Sequence, residues 1–415
     1  MVTVVMFELS GMRCQPLRRA LVFIYEFGVK MKECIYCRQK KDASEFSLEH
    51  VLPQFIGGAA APDFLKTRQV CEKCNNNLGL FVDAGFEKDW VVHNHLKTAA
   101  HAFFDPKKPT SLPFICMGSS DLQPPDISTD EVCELWLGPL GERVYWIRPT
   151  DERLFWYAGG NPRTVKNKRS RAYFMFSERS NKNVLLSWLS FRDCFEGKKV
   201  KKVLCGTVKG ADPSTIGFSN ADTLDKERVE YFFKHIKDNN NQEKGSVSMY
   251  IDCDIRFMAK TAIGIAYSLF GDKFLETSYS RELTKALWYR REDKIPEIRF
   301  MRNMAEGDSM LSQVLSCPNA VTLAIIPNSV GVGINLNISG ALNWVIQILV
   351  NKEITDIEDS RLGDGLVVIL FKSLRKCIVL DYPEFLAYKL GNIEHPELDS
   401  IYAKMNENKD YFKNL

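Results

Sequence analysis

The chain has 415 residues, 45% hydrophobic and 26% charged, with 55 basic against 52 acidic side chains and a net charge of +3. These totals exclude global disorder, and the near balance of charge leaves any surface for a polyanion to local clustering. The length exceeds one compact core and predicts two domains or three, while the lack of any apolar run of about 18 residues argues against a membrane-spanning helix.

Residues 1–30 open with an apolar run. Arg13, Arg18 and Arg19 follow, and then a second apolar run over 20–25. That order imitates a leader peptide, but Glu26 interrupts it and no small-residue cleavage site comes after it. Met31 stands just before the first motif cysteine. One reading therefore starts natural translation at Met31 and treats 1–30 as an extension that is not native.

Residues 31–92 hold the densest motif. Of the twelve cysteines in the chain, Cys34 with Cys37 and Cys71 with Cys74 form two C-x-x-C pairs. Each pair makes a tight knuckle, and together they supply four thiolates to one tetrahedral zinc. A structural zinc of this kind contributes about 10–16 kcal/mol of apparent folding free energy, and a small segment with few large apolar residues needs such a staple. The other eight cysteines (Cys14, Cys116, Cys133, Cys194, Cys205, Cys253, Cys317 and Cys377) stand singly. They read as small buried apolar residues in a reducing compartment.

Between the pairs lies Glu49-His50-Val51-Leu52-Pro53, then Gly57-Gly58, and Asn75 follows the second pair. An imidazole with a pKa near neutrality suits a general base on water. A neighbouring carboxylate offers an oxygen ligand to a hard cation. On a strand, adjacent side chains point to opposite sides, so the two need not compete for one position.

Taken together these residues resemble the HNH endonuclease family, whose ββα-metal core often sits in a treble-clef zinc module. The resemblance covers about 60 residues, roughly 34–92, and rests on C-x-x-C, Glu49 to Pro53, Gly57-Gly58 and Cys71-x-x-Cys74-Asn75. It implies that His50 is the general base and that Glu49, where the family commonly has Asp, and Asn75 hold the catalytic divalent cation, Mg²⁺ or Mn²⁺. Cys34, Cys37, Cys71 and Cys74 would hold a closed structural zinc that takes no part in the chemistry. Pro53 and the glycine pair would shape the turn after the catalytic strand. The family often has an Asn shortly before the second knuckle as a buttress, where this chain has Lys66 and Thr67. Asn76, Asn77 and Asp83 are candidates to replace it.

Residues 93–240 read as a strand-rich accessory region. A Gly/Pro turn joins 132–137 to 144–147 as a hairpin, with 172–176 and 184–189 as further strands. His93 and His95 read as surface residues, since their spacing does not suit one helix face. The run Arg163, Lys166, Lys168, Arg169 and Arg171 supplies candidate nucleic-acid contacts. Lys198, Lys199, Lys201 and Lys202 form a second basic run, read as a solvated loop or as a further track for a phosphate backbone. Residues 237–245 are polar and read as a linker.

Residues 241–415 read as a mixed helix and strand region of unassigned role. A helix over 257–270 should end at Gly271, and 320–326 and 365–371 should be strands. Residues 341–350 fit either element.

The fold class expected is α+β: a small zinc-bound ββα-metal, treble-clef-like nuclease module followed by a larger mixed α/β accessory region. The function expected is metal-dependent hydrolysis of phosphodiester bonds in double-stranded DNA, in the cytoplasm. By analogy with bacterial chains of this build, the role is restriction or anti-phage defence. Two rivals stay open. One is a non-catalytic zinc module that binds nucleic acid. The other is an effector held inactive until its C-terminal region meets a regulatory ligand or partner.

Overall fold

Two short antiparallel hairpins begin the described part of the chain. The computed structural model describes residues 31–150, 157–207, 212–240, 242–290, 292–294, 296–303, 313–350 and 362–413. The extension 1–30, with Cys14 and the question of the start at Met31, lies outside them. Strand β1 (Met31–Glu33) pairs with β2 (Lys40–Asp42), and β3 (Phe46–His50) pairs with β4 (Lys66–Cys71), with a bulge between Ser47 and Glu49. A π-helical turn over Gly79–Asp83 joins helix α1 (Glu72–Leu78) to α2 (Ala84–Lys88), and α3 (Trp90–His101) follows. Asp89 caps α3, its carboxylate accepting from the amides of Val91 at 3.0 Å and Val92 at 3.4 Å. Helix α3 runs straight across residue 92, where the sequence suggested that the module ends.

The next region forms a six-stranded sheet from β5 (Ile115–Ser120), β6 (Glu131–Leu137), β7 (Arg143–Pro149), β8 (Ser170–Met175), β9 (Val200–Leu204) and β10 (Gly245–Ser246), in the order β10-β5-β6-β7-β8-β9. The predicted hairpin is there, with Leu137 opposite Arg143. Helix α4 (Pro162–Asn167) precedes β8, and the parallel step from β8 to β9 passes through α5 (Val184–Asp193). The sequence reading of 184–189 as a strand is corrected here. Asn183 caps a helix, its side chain accepting from the amide of Leu186, and Phe191 and Leu186 turn into the core. An apolar run fits either element, and here the cap and the crossover decide for helix. Helix α6 (Thr223–Asp238) opens with a capping box between Asp222 and Asp225 and covers the other face through Phe232, which stacks on Tyr145 at 4.3 Å.

The last region packs α7 (Ile251–Phe270), α8 (Asp272–Glu276) and α9 (Ser278–Leu287) against a second six-stranded sheet. Its strands are β11 (Phe300–Asn303), β12 (Val321–Asn328), β13 (Gly331–Ile338), β14 (Leu342–Val350), β15 (Leu366–Phe371) and β16 (Lys376–Asp381), all antiparallel in the order β11-β14-β13-β12-β15-β16. The ambiguous 341–350 stretch is the strand β14, hydrogen-bonded on both sides. Helices Tyr382–Lys389 and Pro396–Lys413 cover the far face through Phe385, Leu398 and Ile401.

Helix α7 positions the cysteine-rich module. Its buried side chains join those of the module and the inner face of the second sheet in one continuous core. Phe257 of α7 stacks on Phe86 at 3.9 Å, and Phe86 also meets Trp344 of β14 at 5.0 Å. Such pairs contribute roughly 0.5–1.5 kcal/mol each beyond their buried area. Gly264 lets α7 approach closely, because a Cβ there would lie 2.7 Å from Val51 Cγ1. No helix among the described residues is long and apolar enough to cross a membrane.

Candidate metal centre and nuclease site

The first knuckle is the turn between β1 and β2, where the backbone amide of Arg38 bonds to the carbonyl of Cys34 at 2.8 Å with Arg38 at φ +59°. The second begins where β4 ends, with Cys71 preceding the first turn of α1 and Cys74 within it. This brings the Sγ atoms of Cys34, Cys37, Cys71 and Cys74 within 4.8 Å of one another, with Cys37 and Cys71 4.0 Å apart. Zinc–thiolate bonds of the usual length in a tetrahedron put sulfurs about 3.8 Å apart, so the donor set fits zinc. The electrostatics agree. A hydrogen bond from Cys74 draws the Cys34 thiol down to about 5. In turn the Cys34 sulfur pushes Cys74 far up, and burial raises Cys37. Four thiols this close cannot all ionise alone, and a dication removes that conflict.

Among the single cysteines, Cys116, Cys133, Cys194, Cys205 and Cys317 are buried, and Cys253 and Cys377 are partly so. All seven thiols are free.

Strand β3 carries Glu49 and His50 to opposite sides, as pleating requires. The His50 ring is partly exposed, and its backbone lies opposite Lys66 in the β3–β4 ladder. Asn75, on α1, reaches back to β3. Its Nδ2 donates to Ser47 Oγ and to the carbonyl of Leu48, both at 2.9 Å. It therefore braces the strand that carries His50, which is the work the sequence reading looked for in a separate Asn. Asn76 is exposed. After the strand the chain turns at Gly57, with φ +101°, and at Gly58, where a Cβ would fall 1.6 Å from the carbonyl oxygen of Leu52. Only glycine fits that second position.

Glu49 faces inward and is 3% exposed. Its Oε1 lies 2.9 Å from Lys260 Nζ of α7 and accepts from Tyr36 Oη at 3.4 Å. Lys260 also reaches Asp83 Oδ2 at 2.6 Å. Burial pushes the carboxyl groups of Glu49 and Asp83 up, with Lys260 pulling each back. Burial opposes the charge on Lys260, but Asp83 and Glu49 hold the ammonium above the usual lysine range. A divalent cation at Glu49 Oε1 would have to displace that ammonium. Lys260 was missed as a site residue in the sequence. Its signal was a lone lysine inside the apolar run 257–266.

The Lys260 cluster makes a prediction. Lys260→Met leaves two buried carboxylates facing each other, and removal of one partner from a buried ion pair costs about 3–5 kcal/mol. Urea unfolding of the full chain should show that loss. Unchanged stability would mean that the ammonium does not hold the two acids in solution.

The basic run divides. Arg163, Lys166, Lys168 and Arg169 are exposed on and after α4. Arg171 instead pairs with Asp222 at 2.8 Å and Asp225 at 2.7 Å, and Lys201 bonds to the same two acids. Two surface readings are corrected. His93 is buried on α3, with its ring edge-on to Trp136 at 5.7 Å. Lys198 is no solvated lysine, for its Nζ sits 4.7 Å above the Trp146 ring and 5.0 Å above that of Phe195.

A strand pair, a helix and a four-thiolate knuckle define a zinc-stapled ββα module. Residues 34–91 match the family model of the HNH endonuclease, which implies a nuclease acting on nucleic acid, and HNH nucleases use divalent metals. No curated protein matches the chain, and no solved structure does.

Proposed function

We propose that the protein is a divalent-cation-dependent endonuclease that cuts double-stranded DNA, with His50 as general base. The observation that carries this reading is the partly exposed His50, on a strand braced by Asn75, inside the segment that matches the nuclease family. His50 takes a proton from the attacking water. Asn75 uses its Nδ2 on β3, which leaves Oδ1 as an oxygen donor for Mg²⁺ or Mn²⁺. Lys260 and Tyr36 occupy Oε1 of Glu49, which leaves Oε2 as its oxygen for that cation. In this proposal Glu49 anchors β3 through Oε1 and offers Oε2 to the cation. A bound cation supplies polarisation of the scissile phosphate and stabilisation of the leaving 3′ oxygen. Arg163, Lys166, Lys168 and Arg169 are the proposed phosphate contacts. The free, mostly buried thiols fit a reducing cytoplasm. A place in restriction or anti-phage defence is proposed by analogy alone.

A second reading, a zinc module that binds nucleic acid without cutting, is favoured by the pairing of Glu49 with Lys260. Supercoiled plasmid separates the two. Nicked or linear product with Mg²⁺ or Mn²⁺, and none without, is the result expected of the nuclease. Retarded but uncut plasmid under every cation condition would favour the binding module.

A further inference from the structure

Where α2 and α3 meet the first sheet there is a cavity of about 260 Å³. Lys88, His93 and Lys97 line it from the helices, and Trp136, Phe195 and Lys198 from the sheet side. The chemistry of its wall is unusual. Among the described residues, no carboxylate lies within ion-pairing distance of Lys88, Lys97 or Lys198, whereas elsewhere Arg148, Lys260 and Arg302 each hold a buried acid. Asp193 also lines the cavity, but its carboxylate pairs with Arg192 at 2.6 Å. Glu134 is likewise committed, to Arg148.

The lysines feel one another. Burial first and then Lys88 lower Lys198 to about 8. Lys97 is lowered by burial and then by Lys372 and Lys88. His93 is driven well below its usual range by burial and then by Lys88, Lys97, Lys198 and Lys372, so its imidazole is neutral. Its Nε2 is buried and has no hydrogen-bond partner among the described residues. Three lysines gathered at a cavity, with Glu87 and Glu134 acting on Lys97 and Lys198 only from beyond ion-pairing distance, beside an orphaned buried nitrogen, make a setting that an anion would complete.

We propose that this cavity is a binding site for a small phosphorylated anion. Lys88, Lys97 and Lys198 surround the phosphate, His93 Nε2 hydrogen-bonds to it, and Trp136 and Phe195 wall the less polar part of the ligand. A small ligand fits better than a DNA backbone, because Lys198 is sunk among aromatic rings while the exposed basic residues lie elsewhere. The site lies on the succession of helices from α1, which carries Cys74 and Asn75, through Asp83 to α3, so a ligand there touches the framework of the nuclease module.

The test uses the zinc-loaded full chain without added divalent cation, with pyrophosphate as probe and chloride at matched ionic strength as control. Calorimetric titration should show saturable pyrophosphate binding, weakened about tenfold or more by Lys97→Gln and by Lys198→Met. Lys198→Met should also show a smaller pyrophosphate-induced rise in Tm than wild type. No binding beyond the chloride control would overturn the proposal, as would equal affinity in both variants. So would a short DNA duplex that displaces pyrophosphate from the cavity, which would assign the lysines to the substrate path. The readout is binding, so it stands or falls apart from cleavage.

Discussion

His50→Ala is expected to lower plasmid cleavage about a hundred- to ten-thousand-fold, the range a positioned general base contributes, with zinc content and unfolding unchanged. The fold should be indifferent because His50 is partly exposed, and its ladder bonds to β4 come from the backbone, which alanine keeps. Surface substitutions of this kind usually shift stability by less than about 0.5 kcal/mol. Loss of cutting in a chain that melts like wild type would therefore report chemistry. Cutting at the wild-type rate would remove the nuclease assignment from this site.

Cys74→Ser is expected to have the largest effect on the fold. It removes one of four thiolates from a site whose metal contributes about 10–16 kcal/mol. The first knuckle is also held by burial of Cys34, Ile35 and Tyr36 in the core and by Arg38 on the carbonyl of Leu275, but between the two knuckles the direct ties are few. Cys34 and Cys71 meet through a backbone amide 3.3 Å from Cys34 Sγ, and Lys41 adds one contact to Cys71. The damage should spread, because Val51, Leu78 and Phe86 share a core with α7 and β14. Trp288 Nε1 donates to the carbonyl of Tyr36 in the first knuckle at 2.9 Å, so α9 also loses its seat. The variant should contain no tightly held zinc and should lose near-UV circular dichroism in solution. A zinc-free variant with native spectra would show that the metal is dispensable for folding.

The site was legible where the chemistry is local. Two C-x-x-C pairs, Glu49-His50, Gly57-Gly58 and Asn75 all stand within one short stretch, and the structure gathers the four cysteines into one cluster. Long apolar runs were legible too, as with α7 ending at Gly271 and with β15. The failures have two physical causes. The 184–189 run is apolar except at Ser187, so its period does not separate strand from helix, and the capping Asn183 was the overlooked signal. Burial of charge depends on distant partners. Lys260 meets Asp83 across 177 residues, and nothing near either residue announces the pair. His93 and Lys198 looked like surface groups for the same reason, since Trp136 and Trp146 come from other strands.

The central claim is that two metals do separate jobs: a zinc that builds the module and an exchangeable cation that serves the cutting. Dialysis of one wild-type preparation against a mild chelator, followed by zinc quantification and plasmid cleavage on the same sample, tests it directly. The account predicts about one zinc per chain retained, no cleavage after dialysis, and full cleavage restored by Mg²⁺ or Mn²⁺. Cleavage that falls only as zinc is lost, and returns with zinc alone, would contradict it.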